Sequence, residues 1–397
     1  GDSTVHGAWK AFLFFFITLA INFWVISKGI EKGIEKLAKI GMPILFIFAL
    51  ILAVVVLFLP AQPGVGTTAW DGLGFLFRPD LSGLSSPSVW LAAAGQIFFT
   101  LSVGMGTLAT YASYLTKKDD ILLSGIATSA TNETAEVVLG GTIAIPAAVV
   151  FFGVAGATQI AQGGSFDLGF ATMPVVFQQL PLGNVLGFMW FGLLFFAGIT
   201  SSVAMATPIL AFLREEFGIR REKAAWGLGG IVLVLGLLHV LFLAQGFLDE
   251  WDYWAGTFGL ALFALIEVIL FMWVFKPENA WRSLHEGADI RLGGIWKFVM
   301  TYVTPIYLLV LFSWWAIQDA WPILTMRAGA GGGVPTEENI PFIVASRLVM
   351  VSIFVVGVIL VRIAWKRNRY DDRAGFREVD EPQSQQSREA AELGGPA

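Results

Sequence analysis

Nine apolar runs separated by charged breaks dominate the sequence and leave it few ways to fold. They lie at about residues 8–27, 40–59, 89–116, 121–154, 184–213, 224–247, 253–275, 295–318 and 341–365. Each reaches the roughly 20 residues with which a helix crosses the hydrocarbon core of a bilayer. Composition agrees: 56% of residues are hydrophobic, 14% are charged and the mean hydropathy is +0.71, whereas soluble domains are roughly half apolar and about a quarter charged. The expected fold is an all-α polytopic membrane protein whose nine transmembrane helices occupy residues 1–370. The tail, 371–397, is polar and poor in apolar side chains, which predicts disorder.

The basic residues orient the spans. Lys28, Lys32, Lys36 and Lys39 follow span one, Lys117 and Lys118 span three, and Arg214, Arg220, Arg221 and Lys223 span five. Lys276, Arg282, Arg291 and Lys297 lie between spans seven and eight, and the tail adds more, so 21 of 25 basic residues share one face. The positive-inside rule makes that face cytoplasmic and puts the C-terminus inside a cell membrane. With nine spans the chain then begins outside, at Gly1, without Met or a signal peptide. An N-terminal part with an odd number of helices is expected to precede it.

Several function classes drop out. Without cysteine there are no disulfides, thiolate metal sites or thiol nucleophile. The basic residues follow the membrane and form no patch for nucleic acid. His6, His239 and His285 are scattered, and no general-base constellation or metal-ligand spacing assembles. A channel or an intramembrane enzyme is therefore the weaker class, and no catalytic residue or cofactor is assigned.

Strongly polar side chains inside a bilayer are costly, on the order of 3 kcal/mol for a central charge, and tend to face cavities or partners. Span three, in "GQIFFTLSVGMGTLATY", carries Gln96, Thr100, Ser102, Gly104 and Gly106 near its middle. These residues weaken the helical ladder and predict a broken helix within 89–116, whose free backbone groups become ligands in a cavity. A small-residue packing face accounts for the same glycines equally well. Span four crowds Thr128, Thr131, Asn132, Glu133, Thr134 and Glu136 together; Asn132 and Glu136, one turn apart, share a face. In span five Ala197, Thr200, Ser201 and Met205 form a stripe with two hydroxyls. Oxygens of this kind suit a weakly bound monovalent ion, although hydroxyls also serve as helix glue. Glu267, inside span seven, is expected to pair with another helix. The outer segment 156–183, with "FDLGFATMPVVFQQLP", is either a lid or a hairpin packed on the outer surface.

Four stretches in this order, "GQIFFTLSVGMGTLATYASY", "TNETAEVVLGGTIAIPAA", "FFAGITSSVAMATPILAF" and "LDEWDYWAGTFG", resemble the neurotransmitter:sodium symporter family, most closely its bacterial members. The resemblance runs from about Trp9 to Arg369. It implies a twelve-helix fold of two inverted five-helix repeats, of which this chain resembles helices four to twelve. It also implies sodium-coupled symport of an apolar amino acid by alternating access, with another amine or osmolyte as the alternative cargo. Phe99, Thr100, Ser102, Met105, Ser201 and Met205 would line the substrate pocket. Thr100 and Asn132 would ligate one sodium, and Ala197, Thr200 and Ser201 a second. Glu136 stands where chloride-dependent animal members have a serine, which implies chloride independence. Phe99 and Asp252 would belong to an outer gate and Glu215 to an inner one. Met105 and Met205 replace the Phe and Ile of a leucine-specific member. The implied partners are an amino acid, sodium and the lipid bilayer, with a homodimer as the candidate assembly.

Overall fold

The computed structural model describes residues 5–79, 81–116, 118–162, 167–330 and 335–368. The expected disordered tail, 371–397, and Lys117, between spans three and four, lie outside these. Every expected span is helical. Among the described residues seven are long and apolar enough to cross a membrane: Gly33–Leu57, Ile121–Ala161, which kinks at Gly153, Gly183–Phe217, Arg221–Leu241, Phe247–Val274, Gly294–Gln318 and Ile340–Arg367. Span one is the helix Val5–Ser27, and span three is the interrupted pair Pro87–Thr100 and Thr107–Ala112.

Local chemistry sets the helix ends. Pro87 occupies the first turn of span three, where its missing N–H costs nothing. The Asp120 carboxylate accepts the Leu123 amide at 2.7 Å and caps span four. Gly218, at φ +67°, closes span five in the left-handed conformation that favours glycine. In the first outer loop the helix Ala69–Phe77 starts from a capping box between Thr68 and Asp71. Its Gly72 lies so close to Pro146 of span four that a Cβ there would sit 2.5 Å from the proline Cα.

Three apolar clusters hold the spans together. One joins spans two, four and five through Leu52, Val56, Ile143, Val150 and Trp190. A second joins spans one, five and six through Phe23, Ile26, Val203, Leu210 and Ala225, and a third joins spans three, seven and eight through Leu91, Ala94, Ala261, Leu308 and Trp315. The described part of the segment 156–183 packs against the spans, as either a lid or a hairpin would. Met173, Val176 and Phe177 are buried in the first cluster, and the Trp190 indole donates to the Gly169 carbonyl at 2.9 Å.

Loops expected to share a face touch in two pairs. The Asp120 carboxylate, before span four, accepts the Asp289 amide from the loop between spans seven and eight at 2.7 Å. The Arg221 guanidinium, at the start of span six, donates to the Ile26 carbonyl at the end of span one at 3.0 Å. Glu267 departs from its expectation. The buried stripe of span seven runs through Leu260, Ala261, Ala264 and Leu265, and Glu267 falls off it onto the exposed face.

Candidate functional site

Span three breaks where its composition predicts. The helix Pro87–Thr100 ends, six residues run irregularly, and the helix resumes at Thr107. Three residues in the gap take positive φ: Ser102 at +57°, Gly104 at +78° and Gly106 at +74°. For Ser102 that conformation costs about 1–2 kcal/mol, a strain that persists only where its surroundings over-determine it. The packing explanation for the glycines holds as well. A Cβ on Gly104 would lie 2.7 Å from the Leu260 carbonyl oxygen, and one on Gly95 3.0 Å from the Thr257 Cα. Span three therefore unwinds and at the same time lies backbone to backbone on span seven.

Beside the break, spans three and four exchange a polar network. Thr100 donates its hydroxyl proton to Glu136 Oε2 and accepts from Asn132 Nδ2 at 2.9 Å. Asn132 Oδ1 lies 3.2 Å from the same hydroxyl oxygen, and Asn132 Nδ2 is 3.5 Å from Glu136 Oε2. Gln96, one turn before Thr100, donates to Glu136 Oε1. Asn132 and Glu136 share a face as expected, although the helix turns π-helical over Thr134–Gly140. Such wider turns recur at functional sites because they re-aim side chains. Glu136 thus receives amide and hydroxyl donors and, among the described residues, no ion-pairing cation.

The expected third patch stands apart. Thr200 donates within its own helix, to the carbonyls of Phe196 at 2.8 Å and Ala197 at 3.1 Å, and Ser201 is exposed. Span five approaches the break through Pro208, whose Cβ would be 3.7 Å from a Cβ on Gly106. Met205 faces elsewhere, into a cavity of about 270 Å³ between spans one, five and six. The polar end of that cavity is a hydrogen bond from Ser202 to Asn22 at 2.6 Å, a pair that spacing within span five did not reveal. Phe99 is 48% exposed and Met105 half-buried within the break.

The two gate candidates differ. Asp252 lines a cavity of about 410 Å³ with Ser88, Tyr253, Asp319 and Ile323, and the Ser88 hydroxyl donates to Asp319 at 2.5 Å. Glu215 pairs with its neighbour Arg214 at 3.3 Å on the exposed end of span five. Sequence reading missed a buried ion pair above Asp252. Glu250, 2% exposed, takes the Arg347 guanidinium in a fork, Nε to Oε2 at 2.7 Å and the terminal nitrogen to Oε1 at 3.2 Å.

Comparison with known proteins gives one consistent answer. The sequence model of the sodium:neurotransmitter symporter family matches residues 5–362. An uncharacterised sodium-dependent transporter of Methanocaldococcus jannaschii is 30% identical over 348 residues, covering 85% of this chain and 65% of its own length. The sodium-dependent nutrient amino acid transporter 1 of Drosophila melanogaster is 25% identical, covering 77% of this chain and 47% of its own length. Among solved structures, MhsT in complex with L-phenylalanine superposes with a TM-score of 0.66 at 30% identity, over 75% of this chain and 66% of MhsT. The chain spans about two thirds of the length of the archaeal protein and of MhsT.

Proposed function

Because the chain belongs to the sodium:neurotransmitter symporter family, whose members are secondary transporters and not enzymes, we propose that it serves the sodium-coupled symport of an apolar amino acid by alternating access. The observation that carries this reading is the network of Gln96, Thr100, Asn132 and Glu136 against the helix break. It offers a cation the Thr100 hydroxyl oxygen and Asn132 Oδ1, 3.2 Å apart on neighbouring helices. Glu136 beside them adds a negative charge that its own donors do not cancel. Uncharged oxygens with one carboxylate nearby fit a monovalent ion better than a tightly ligated divalent one. A fixed carboxylate at this position also gives a physical basis for chloride independence.

We assign the backbone groups of the unwound turn at 101–106 to the two ends of an amino acid, with Phe99, Ser102 and Met105 beside them. The second ion is assigned to Ala197, Thr200 and Ser201, whose hydroxyl and carbonyl groups would exchange their intrahelical bonds for a ligand. Ion and substrate bound side by side raise each other's affinity by linkage. One charge moving inward contributes about 2.3 kcal/mol per 100 mV. The basic loops are assigned to the cytoplasmic face, and with them the C-terminus.

The test is uptake of a radiolabelled apolar amino acid into proteoliposomes with an inward sodium gradient. Thr100→Ala and Asn132→Ala should lower sodium affinity and uptake together. Unchanged sodium dependence in both variants would remove the ion from this network.

A further inference from the structure

Besides span three, two segments far apart in sequence wall the outer cavity. One is the start of span seven, where Asp252, Tyr253 and Thr257 face the cavity; the other is the segment after span eight, where Pro322 and Ile323 face it. Span nine touches both through the neighbours Ser346 and Arg347. Ser346, fully buried, donates to the Phe247 carbonyl at 3.2 Å. Arg347 forks onto Glu250 and also donates to the carbonyls of Ile323 at 3.0 Å and Leu324 at 3.1 Å. Its guanidinium lies 5.5 Å from the centre of the Trp254 ring, and the Trp254 indole donates to Glu250 Oε2 at 2.9 Å.

We propose that Arg347, with Glu250 as its counter-charge, is a positioning residue that sets the opening of the outer cavity by holding span seven to the segment 320–324. The planar guanidinium is suited to this because it serves a carboxylate and two carbonyls at fixed angles, which the point-like ammonium of lysine cannot do. Glu250 lies two residues before Asp252, and Ile323, itself a cavity wall, is one of the bonded carbonyls. A displacement of the fork therefore reaches the cavity lining directly. Span nine contributes no side chain to the cavity, so its effect is exerted through these bonds.

The inference rests on the symport reading, with Asp252 in an outer gate, yet its test needs no transport. The chain has no native cysteine, so a single reporter is free of background. Ala92→Cys places a thiol on the cavity wall, and Ala61→Cys places one in the exposed first outer loop. Each is labelled in membranes with an impermeant methanethiosulfonate, alone and combined with Arg347→Lys or Glu250→Gln.

Loss of the fork should raise labelling at Ala92→Cys by about tenfold, while Ala61→Cys stays within about twofold. Lower thermal stability with unchanged Ala92→Cys labelling in both variants would assign the pair to folding alone and overturn the proposal. Failure of both variants to reach the membrane would overturn it in the same way. Sodium-dependent uptake that fails while labelling responds would sink the symport reading and leave this one standing.

Discussion

Replacing Gly104 by alanine tests whether the break in span three is built against span seven. Two costs add at this position. An L-residue at φ +78° carries about 1–2 kcal/mol of backbone strain. The new Cβ would also lie 2.7 Å from the Leu260 carbonyl oxygen and 3.3 Å from the Ala264 nitrogen, backbone atoms of a packed helix that cannot swing aside. Overpacking of that kind costs about 1–3 kcal/mol, giving roughly 2–5 kcal/mol in all. Gly106, at φ +74°, carries the same strain, but its Cβ would meet only Pro208 at 3.7 Å, ordinary contact. Gly106→Ala should therefore cost about 1–2 kcal/mol. Thermal unfolding of the purified protein in one detergent, followed by loss of the monodisperse peak, reads the difference. Gly104→Ala should lower the midpoint about twice as far as Gly106→Ala. Equal shifts would refute the close approach to Leu260 and leave conformation as the sole demand on these glycines.

Two further outcomes follow from the network and from the inner loops. Glu136→Ser removes the fixed charge beside Thr100 and Asn132, and uptake in the variant should come to require chloride; full uptake in chloride-free buffer would end that role for Glu136. At Asp120 the amides of Leu123 and Asp289 hold the carboxyl below the usual carboxylate range. A depressed value means that the tie is fully present above about pH 4 and is lost as pH falls through the still lower folded value. Asp120→Asn should weaken it already at neutral pH. Faster amide exchange over residues 286–292 in that variant is the readout, and unchanged exchange would contradict the cap.

The parts of this fold that were legible in sequence are those set by near neighbours. Apolar runs gave the spans, and the Ser102–Gly106 composition gave the break, because both depend on a handful of consecutive residues. The shared face of Asn132 and Glu136 was legible from a spacing of four, and a π-helical turn beginning between them did not undo it. Long-range choices were not legible. Of two adjacent hydroxyls in span five, Ser202 turns towards Asn22, 180 residues away, and Ser201 does not; only packing against span one decides that. Glu250 finds Arg347 across 97 residues, so the buried partner of an acidic "LDEWD" motif could not be read from its neighbourhood. Glu267 looked like a group in need of a partner because burial was inferred from the span as a whole, and the buried stripe passes it by.

Two acids, the buried Glu250 and the half-buried Glu136, differ in what meets them. Glu250 is neutralised: a guanidinium meets both its oxygens, so the pair has no net charge left for a ligand. Glu136 is solvated by protein instead of neutralised. Gln96, Thr100 and Asn132 give it dipoles and no opposite charge. On the proposed reading, a negative charge at Glu136 in a medium of low dielectric would draw a cation to the neighbouring oxygens of Thr100 and Asn132, which would exchange their mutual hydrogen bonds for it. On the same reading the Glu250 pair suits a strut and the Glu136 cluster a binding site: an arginine in place of Gln96 would turn the second into a copy of the first and should abolish its attraction for a cation.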